Sequence, residues 1–461
     1  MQKVQCNGGL RLFNNLKYDQ GVLIALFILI KDPAVVWTAS ARIIGTIGTV
    51  GVLPLVVIYL SPIEQGIYFI FLSLMTAQVF FELGFSTVVI QKISHARGFL
   101  NINSTDDNFD HVANLICFSV KFYILMSVAF FFAFSTFGLF FIATQVKTAG
   151  EVSWKAPWLL FAVGVALSLI GLGLTSIAEG MGKVKMAVQI RAIGMTLRFL
   201  CLAIGLVSGA GLWSLSFAVV FSSILMICIV IFYDNEILCK CREKKRDSSI
   251  NWRNDILPFQ WRIGVSCLSG FFIFQTMTLA VAAKAGAPEA GRFGLAMQIC
   301  IGLISLSLCF ISPKQAVWAA LVGGKKWAEL ERSFISNFYV AIASYAVMTL
   351  ISVMFLACFA WWWPVYSERL PTFPVILTLG AAGIFILFSN ATGVFLRSFG
   401  SEPYVWTSIS FGVGMMLLAI VAKSVNALSV GYLVLSIVIC GFWGGYIFQC
   451  RRNSMRKLIN K

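Results

Sequence analysis

Seven ionisable side chains, Arg42, Glu82, Lys121, Glu179, Arg191, Arg198 and Arg262, stand inside long apolar runs of the sequence. An Arg or Lys at the centre of a hydrocarbon layer costs roughly 2.5–3.5 kcal/mol on insertion scales. Five of them facing lipid would cost on the order of 12–17 kcal/mol on the same scale. The economical arrangement turns them toward an aqueous cavity or toward one another. Such a cavity is net positive and suits an anionic group such as a phosphate or pyrophosphate. A guanidinium forks onto phosphate oxygens, and an ammonium serves as a point charge. An organic cation would need the opposite sign. Arg42, Lys121, Arg191, Arg198 and Arg262 are therefore the candidate substrate-binding cations. Arg191 and Arg198 lie seven residues apart, on one helix face. Glu179, Arg191 and Arg262 lie closer to span ends, where snorkelling to headgroups competes with a cavity role. Glu82 shares a stripe with Gln78 and Ser86. It forms a structural ion pair or carries a proton for coupling, and the sequence leaves both open.

Little else in the chain suggests chemistry. The two histidines, His95 and His111, fall in one loop. No Ser–His–acid set, carboxylate pair or metal-ligand spacing appears. Cys239 and Cys241 make a lone C-x-C, and two ligands do not make a zinc site. Most other cysteines lie in apolar runs, where Cys is a small hydrophobe. The expectation is a protein that is not an enzyme and has no metal and no cofactor.

The elements that position these charges are membrane spans. Hydrophobic residues make up 59% of the 461 and charged ones 12%, against about 25% in soluble domains. Mean hydropathy is +0.88. An all-α integral membrane protein follows, with about twelve transmembrane helices near 34–59, 66–90, 112–141, 157–179, 187–207, 211–233, 258–283, 291–312, 335–361, 374–396, 403–422 and 428–450. The run 21–30 is too short to span and has no cleavage site after it. Residues 1–33 read as an interfacial segment or a misassigned start. The net charge of +16 reflects the positive-inside rule rather than nucleic-acid binding. With the N-terminus inside, 24 Lys and Arg fall on the cytoplasmic side and 6 outside, which places both termini in the cytoplasm. The basic stretch 234–257 divides a first six-helix lobe, 34–233, from a second, 258–450. A basic cytoplasmic tail, 451–461, follows. The linker's charge serves topology, with contact to anionic membrane lipids as an added role.

The lobes echo each other. Arg42 is followed at +4 and +7 by Thr46 and Thr49, and Arg262 by Ser266 and Ser269. Glu64-Gln-Gly66-Ile-Tyr68 matches Glu289-Ala-Gly291-Arg-Phe293 as E-x-G-x-aromatic. The turn Glu179-Gly-Met-Gly182-Lys183 corresponds to Arg397-Ser-Phe-Gly400-Ser401. Three matches in one order indicate a repeat of six spans. Two lobes related by an axis along the membrane normal, with a pathway between them, are a transporter architecture. The expected fold is two six-helix lobes around a central cationic cavity.

The runs Leu60-Ser-Pro-Ile-Glu-Gln-Gly-Ile-Tyr68 and Gln78-Val-Phe-Phe-Glu-Leu-Gly-Phe85 resemble the opening of lipid-linked oligosaccharide flippases, the O-antigen and polysaccharide exporters. Pro258-Phe-Gln-Trp-Arg-Ile263 with Glu289-Ala-Gly-Arg-Phe293 resembles the start of their second half. These flippases belong to the multidrug/oligosaccharidyl-lipid/polysaccharide exporter superfamily. The resemblance implies a V-shaped bundle in a bacterial inner membrane. It implies that an undecaprenyl-pyrophosphate-linked glycan is flipped to the periplasmic leaflet and passed to polysaccharide polymerase machinery. It also carries the cationic-lumen role to Arg42, Lys121, Arg198 and Arg262. Two rival readings stand beside it. A small-molecule antiporter of the same superfamily fits the architecture, although a positive cavity opposes cationic drugs. A membrane sugar polymerase or ligase would need a long outer loop with catalytic groups, and no outer loop here exceeds about 15 residues.

Overall fold

The computed structural model describes residues 51–102, 106–145, 152–233, 257–312, 314–323, 326–399 and 403–459, with single positions between 45 and 49. The described residues are helical throughout and contain no strand. Ten helices are long and apolar enough to cross a membrane, and Val405–Val421 is an eleventh, shorter apolar helix. Most of the expected first span, and Arg42 with it, lies outside the described residues, as do the interfacial segment and the basic linker.

In chain order the helices are α1 (51–59), α2 (Pro62–Met75), α3 (Val79–Glu82), α4 (Phe85–Ile102), α5 (Asp106–Gln145), α6 (Lys155–Gly180), α7 (Val184–Val207) and α8 (Trp213–Tyr233). The second half contains α9 (Leu257–Phe274), α10 (Thr276–Ala285), α11 (Ala287–Leu308), α12 (Lys314–Gly323), α13 (Trp327–Trp362), α14 (Phe373–Arg397), α15 (Val405–Val421), α16 (Val425–Leu435) and α17 (Gly444–Ile459). A π segment, Ser436–Trp443, joins the last two.

Local chemistry sets the helix boundaries. Ser61 and Glu64 form a reciprocal capping box at the start of α2, with Pro62 at its first position. That device satisfies two orphan amides. Pro also occupies the first turn of α11 and α14, where its missing N–H costs nothing.

The second expected span is not the unbroken helix predicted at 66–90, whereas the eighth, expected at 291–312, is the single helix Ala287–Leu308. The second span breaks after Glu82, at Leu83 (φ 46°) and Gly84 (φ 70°), and resumes as α4. The eighth span ends at Leu308, and the short helix α12 begins at Lys314. The seventh span bends at Gln275, between α9 and α10.

The two E-x-G-x-aromatic motifs pack against each other. A Cβ added to Gly66 would lie 1.8 Å from the Ala287 carbonyl oxygen, and one on Gly291 would lie 3.0 Å from the Gly66 nitrogen. Only glycine allows so close an approach. Further along, Phe80 meets Phe271 and Phe272 edge-on, with centroids 4.9 and 5.7 Å away. Gly264 of α9 packs on Leu83. The halves therefore meet along the second span, most tightly at the Ser61 end.

Candidate functional site

The break at Leu83–Gly84 places Glu82 at the head of a new helix. Its carboxylate accepts a hydrogen bond from the Ser86 amide at 3.3 Å, where a helix N-terminus favours negative charge. Glu82 also lies within electrostatic reach of Cys267 on α9. It therefore stands where the first half faces the second.

Behind Glu82 lies a polar cluster within the first half. Tyr123 of α5 is 2% exposed, and its hydroxyl is buried without a hydrogen bond of good geometry. The hydroxyl faces Ser86 and Ser176 and lies within electrostatic reach of Glu82 and Arg191. Gly173 makes room for the ring, since a Cβ there would lie 2.3 Å from it. Arg191 of α7 pairs with Glu179 of α6 at 2.8 Å and donates from Nε to the Thr175 hydroxyl at 3.1 Å. The pair is 27% and 22% exposed. Arg191, a candidate for a free cavity cation, is thus charge-compensated. Two ions left apart in so poor a solvent would each lose hydration, and pairing across α6 and α7 relieves both.

Arg198 lies two turns further along α7. Its Nε donates to the Ser222 hydroxyl of α8 at 3.2 Å, and it has no carboxylate partner among the described residues. It is nine residues from the end of α7, roughly 14 Å at the helical rise, too deep for ready snorkelling. Its neighbour Phe199 packs where Gly48 leaves space on the first span, and Met195 meets Gly45. α7 therefore lies against the described part of the first expected span.

Lys121 is not in this cluster. It is exposed, on the α5 face that carries exposed Leu125, Val128 and Phe132. Arg262 falls on α9, and its side chain lies outside the described residues. The matched hydroxyls of the two stripes behave alike. Thr49 donates to the Gly45 carbonyl at 2.8 Å and Ser269 to the Val265 carbonyl at 2.9 Å.

Sequence reasoning missed Tyr123 and Ser222. Tyr is common in apolar spans, and Ser is easily read as a small packing residue. The usable signal was the hydroxyl run Thr175-Ser176 beside Glu179. It marks a polar face on a helix with no other reason for one.

This two-lobed arrangement is a known transporter fold. The chain superposes on a multidrug resistance MATE family transporter of the MOP superfamily in its inward-facing conformation. The TM-score is 0.63 at 15% identity, over 90% of this chain and 99% of that one. The outward-facing conformation of a MATE family transporter matches with TM-score 0.60 at 15% identity, over 92% and 98%. A MOP superfamily transporter from Pyrococcus furiosus, described as having a binding pocket of reverse polarity that suggests a different function, matches with TM-score 0.58 at 14% identity, over 91% and 96%. No family model and no curated protein matches the sequence. The chain is a multi-pass membrane protein with the MATE-like two-lobe transporter fold.

Proposed function

We propose that this protein flips an undecaprenyl-pyrophosphate-linked oligosaccharide across a bacterial inner membrane for surface polysaccharide synthesis, by alternating access. The observation that carries the proposal is Arg198, a mid-span guanidinium held by one neutral hydroxyl at 3.2 Å. A cation at that depth calls for water or an anion, and a pyrophosphate supplies the matching bidentate oxygens. Arg42, Lys121 and Arg262 are the further cations proposed for this role. Arg191 joins them only when its pair with Glu179 opens. Glu82, on the face between the halves, is the residue proposed to couple transport to a proton or sodium gradient. Both termini are cytoplasmic in this scheme, with Ser61 at the periplasmic end.

A second reading is supported by the MATE likeness itself: a small-molecule antiporter, taking an anionic rather than a cationic compound. One experiment separates the two. The gene is deleted in its host and complemented with wild type, Arg198→Ala or Arg198→Lys, and surface polysaccharide and lipid-linked intermediate are assayed. Flippase function requires lipid-linked sugar to accumulate on the cytoplasmic side after deletion. It also requires Arg198→Ala to fail while present in the membrane. Unchanged polysaccharide after deletion would leave the antiporter.

A further inference from the structure

Three hydrogen bonds among the described residues join the halves at the Ser61 end, and each involves Arg369. Its Nη1 donates to the carbonyls of Val57 at 2.9 Å and Leu60 at 2.6 Å. Gln65 Nε2 donates to the Arg369 carbonyl at 3.2 Å. Those two acceptors are free for a local reason. In a continuing helix the amides of Ser61 and Glu64 would reach the carbonyls four residues back, Val57 and Leu60. Here the Ser61 amide donates to the Glu64 carboxylate at 2.9 Å, and the Glu64 amide donates to the Ser61 hydroxyl at 3.2 Å. The cap that starts α2 therefore orphans two carbonyls at the end of α1, where the helix carries partial negative charge. A guanidinium of the other half takes both.

Arg369 ends the 3₁₀ turn Pro364–Arg369 between α13 and α14. Its guanidinium carbon lies 5.2 Å from the Tyr366 ring centroid, which holds the charge over an aromatic face. Lys284 does comparable work within the second half, donating to the Ile420 carbonyl at 3.1 Å and to that of Ala422 at 2.5 Å. That tie stays inside one half. The Arg369 tie crosses the line along which alternating access would part the molecule.

We infer that Arg369 is a latch that holds the Ser61 end of the interface shut, and that its release is part of opening that end. The use of the latch rests on the alternating-access reading, whereas its closure can be measured without any substrate. Hydrogen–deuterium exchange of the full chain in lipid nanodiscs tests it, comparing wild type with Arg369→Ala, Arg369→Lys and Gln65→Ala. Arg369→Ala is expected to speed exchange roughly tenfold, the effect of about 1.4 kcal/mol, in peptides covering 57–68 and 286–293. Exchange at 174–190, near the opposite end, stays unchanged. Arg369→Lys, with a single head, gives an intermediate rise, and Gln65→Ala a smaller one. Unchanged exchange at 57–68, or an equal rise along the whole chain, overturns the latch. If Arg369→Ala does not assemble, Arg369→Lys decides, and exchange equal to wild type overturns the inference. Polysaccharide unchanged by gene deletion would sink the flippase reading and leave this result standing.

Discussion

The halves share a helix order but fill their interiors differently. In the first, Glu82, Lys121, Glu179, Arg191 and Arg198 lie within spans: Arg191 pairs with Glu179 and bonds the Thr175 hydroxyl, Arg198 bonds the Ser222 hydroxyl, and Glu82 accepts from the Ser86 amide. In the second, the buried polar side chains among the described residues are neutral. Tyr345 donates to the Gly380 carbonyl at 3.0 Å beside Cys300, and Tyr404 donates to the Gly444 carbonyl at 3.0 Å and touches the Thr392 hydroxyl. Within the second half's expected spans the charged residues are Arg262 and, at the very start of its span, Arg292. A repeated scaffold has thus placed electrostatic work on one side and left the other as a tightly packed counterpart. The two copies of E-x-G-x-aromatic diverge in the same way. Glu64 caps a helix and exposes carbonyls to Arg369, whereas Glu289 pairs with its own neighbour Arg292 at 2.7 Å.

The comparison can be broken most forcefully at the glycine contact. Gly66→Ala drives a methyl into backbone, which no rotamer can relieve, and should cost about 3 kcal/mol or more. Gly291→Ala should cost less, since its nearest contact is 3.0 Å. Thermal unfolding of the purified protein in detergent checks the order, and equal losses would show that the two copies are interchangeable there. The ionised cluster comes next. Glu179→Gln leaves Arg191 without its counter-ion and should destabilise by about 1–3 kcal/mol, below the value for a fully buried pair. Adding Arg191→Gln should return part of that loss, and a double variant no better than the single one would contradict pairing.

In the second half, Tyr345→Phe removes a neutral hydrogen bond and should cost about 1 kcal/mol without changing export. A loss of export with normal stability would give the second half a chemical role after all. The smallest effect expected is at the span break. Leu83 holds a left-handed conformation that costs a non-glycine residue roughly 1–2 kcal/mol. Leu83→Gly removes that strain but adds backbone freedom to the unfolded chain, so its melting temperature should stay within a few degrees of wild type. A large loss would mean that the Leu83 side chain, packed on Gly264, matters more than the backbone strain.

Much of the fold was legible because a bilayer imposes a severe rule. Every backbone group within it must be bonded internally, so apolar runs become helices whatever their detailed order. The paired motifs at Glu64 and Glu289 gave the repeat, and the Arg and Glu residues within spans gave the candidate site. Two partnerships escaped the sequence. Arg191 finds Glu179 from the neighbouring helix, twelve residues away and across a turn. Arg198 finds Ser222, and nothing in the local spacing marks that serine out.

The sequence by itself determined that the chain crosses a membrane many times as two related halves, with more basic than acidic side chains in its apolar runs. These are properties of composition and period, summed over many residues. Tertiary structure alone decided which charges are compensated, where the second span breaks, and that Arg369, 309 residues from Leu60, closes on its carbonyl. Those depend on side chains meeting to within an ångström across elements far apart in the chain, and helical periodicity carries no information at that range.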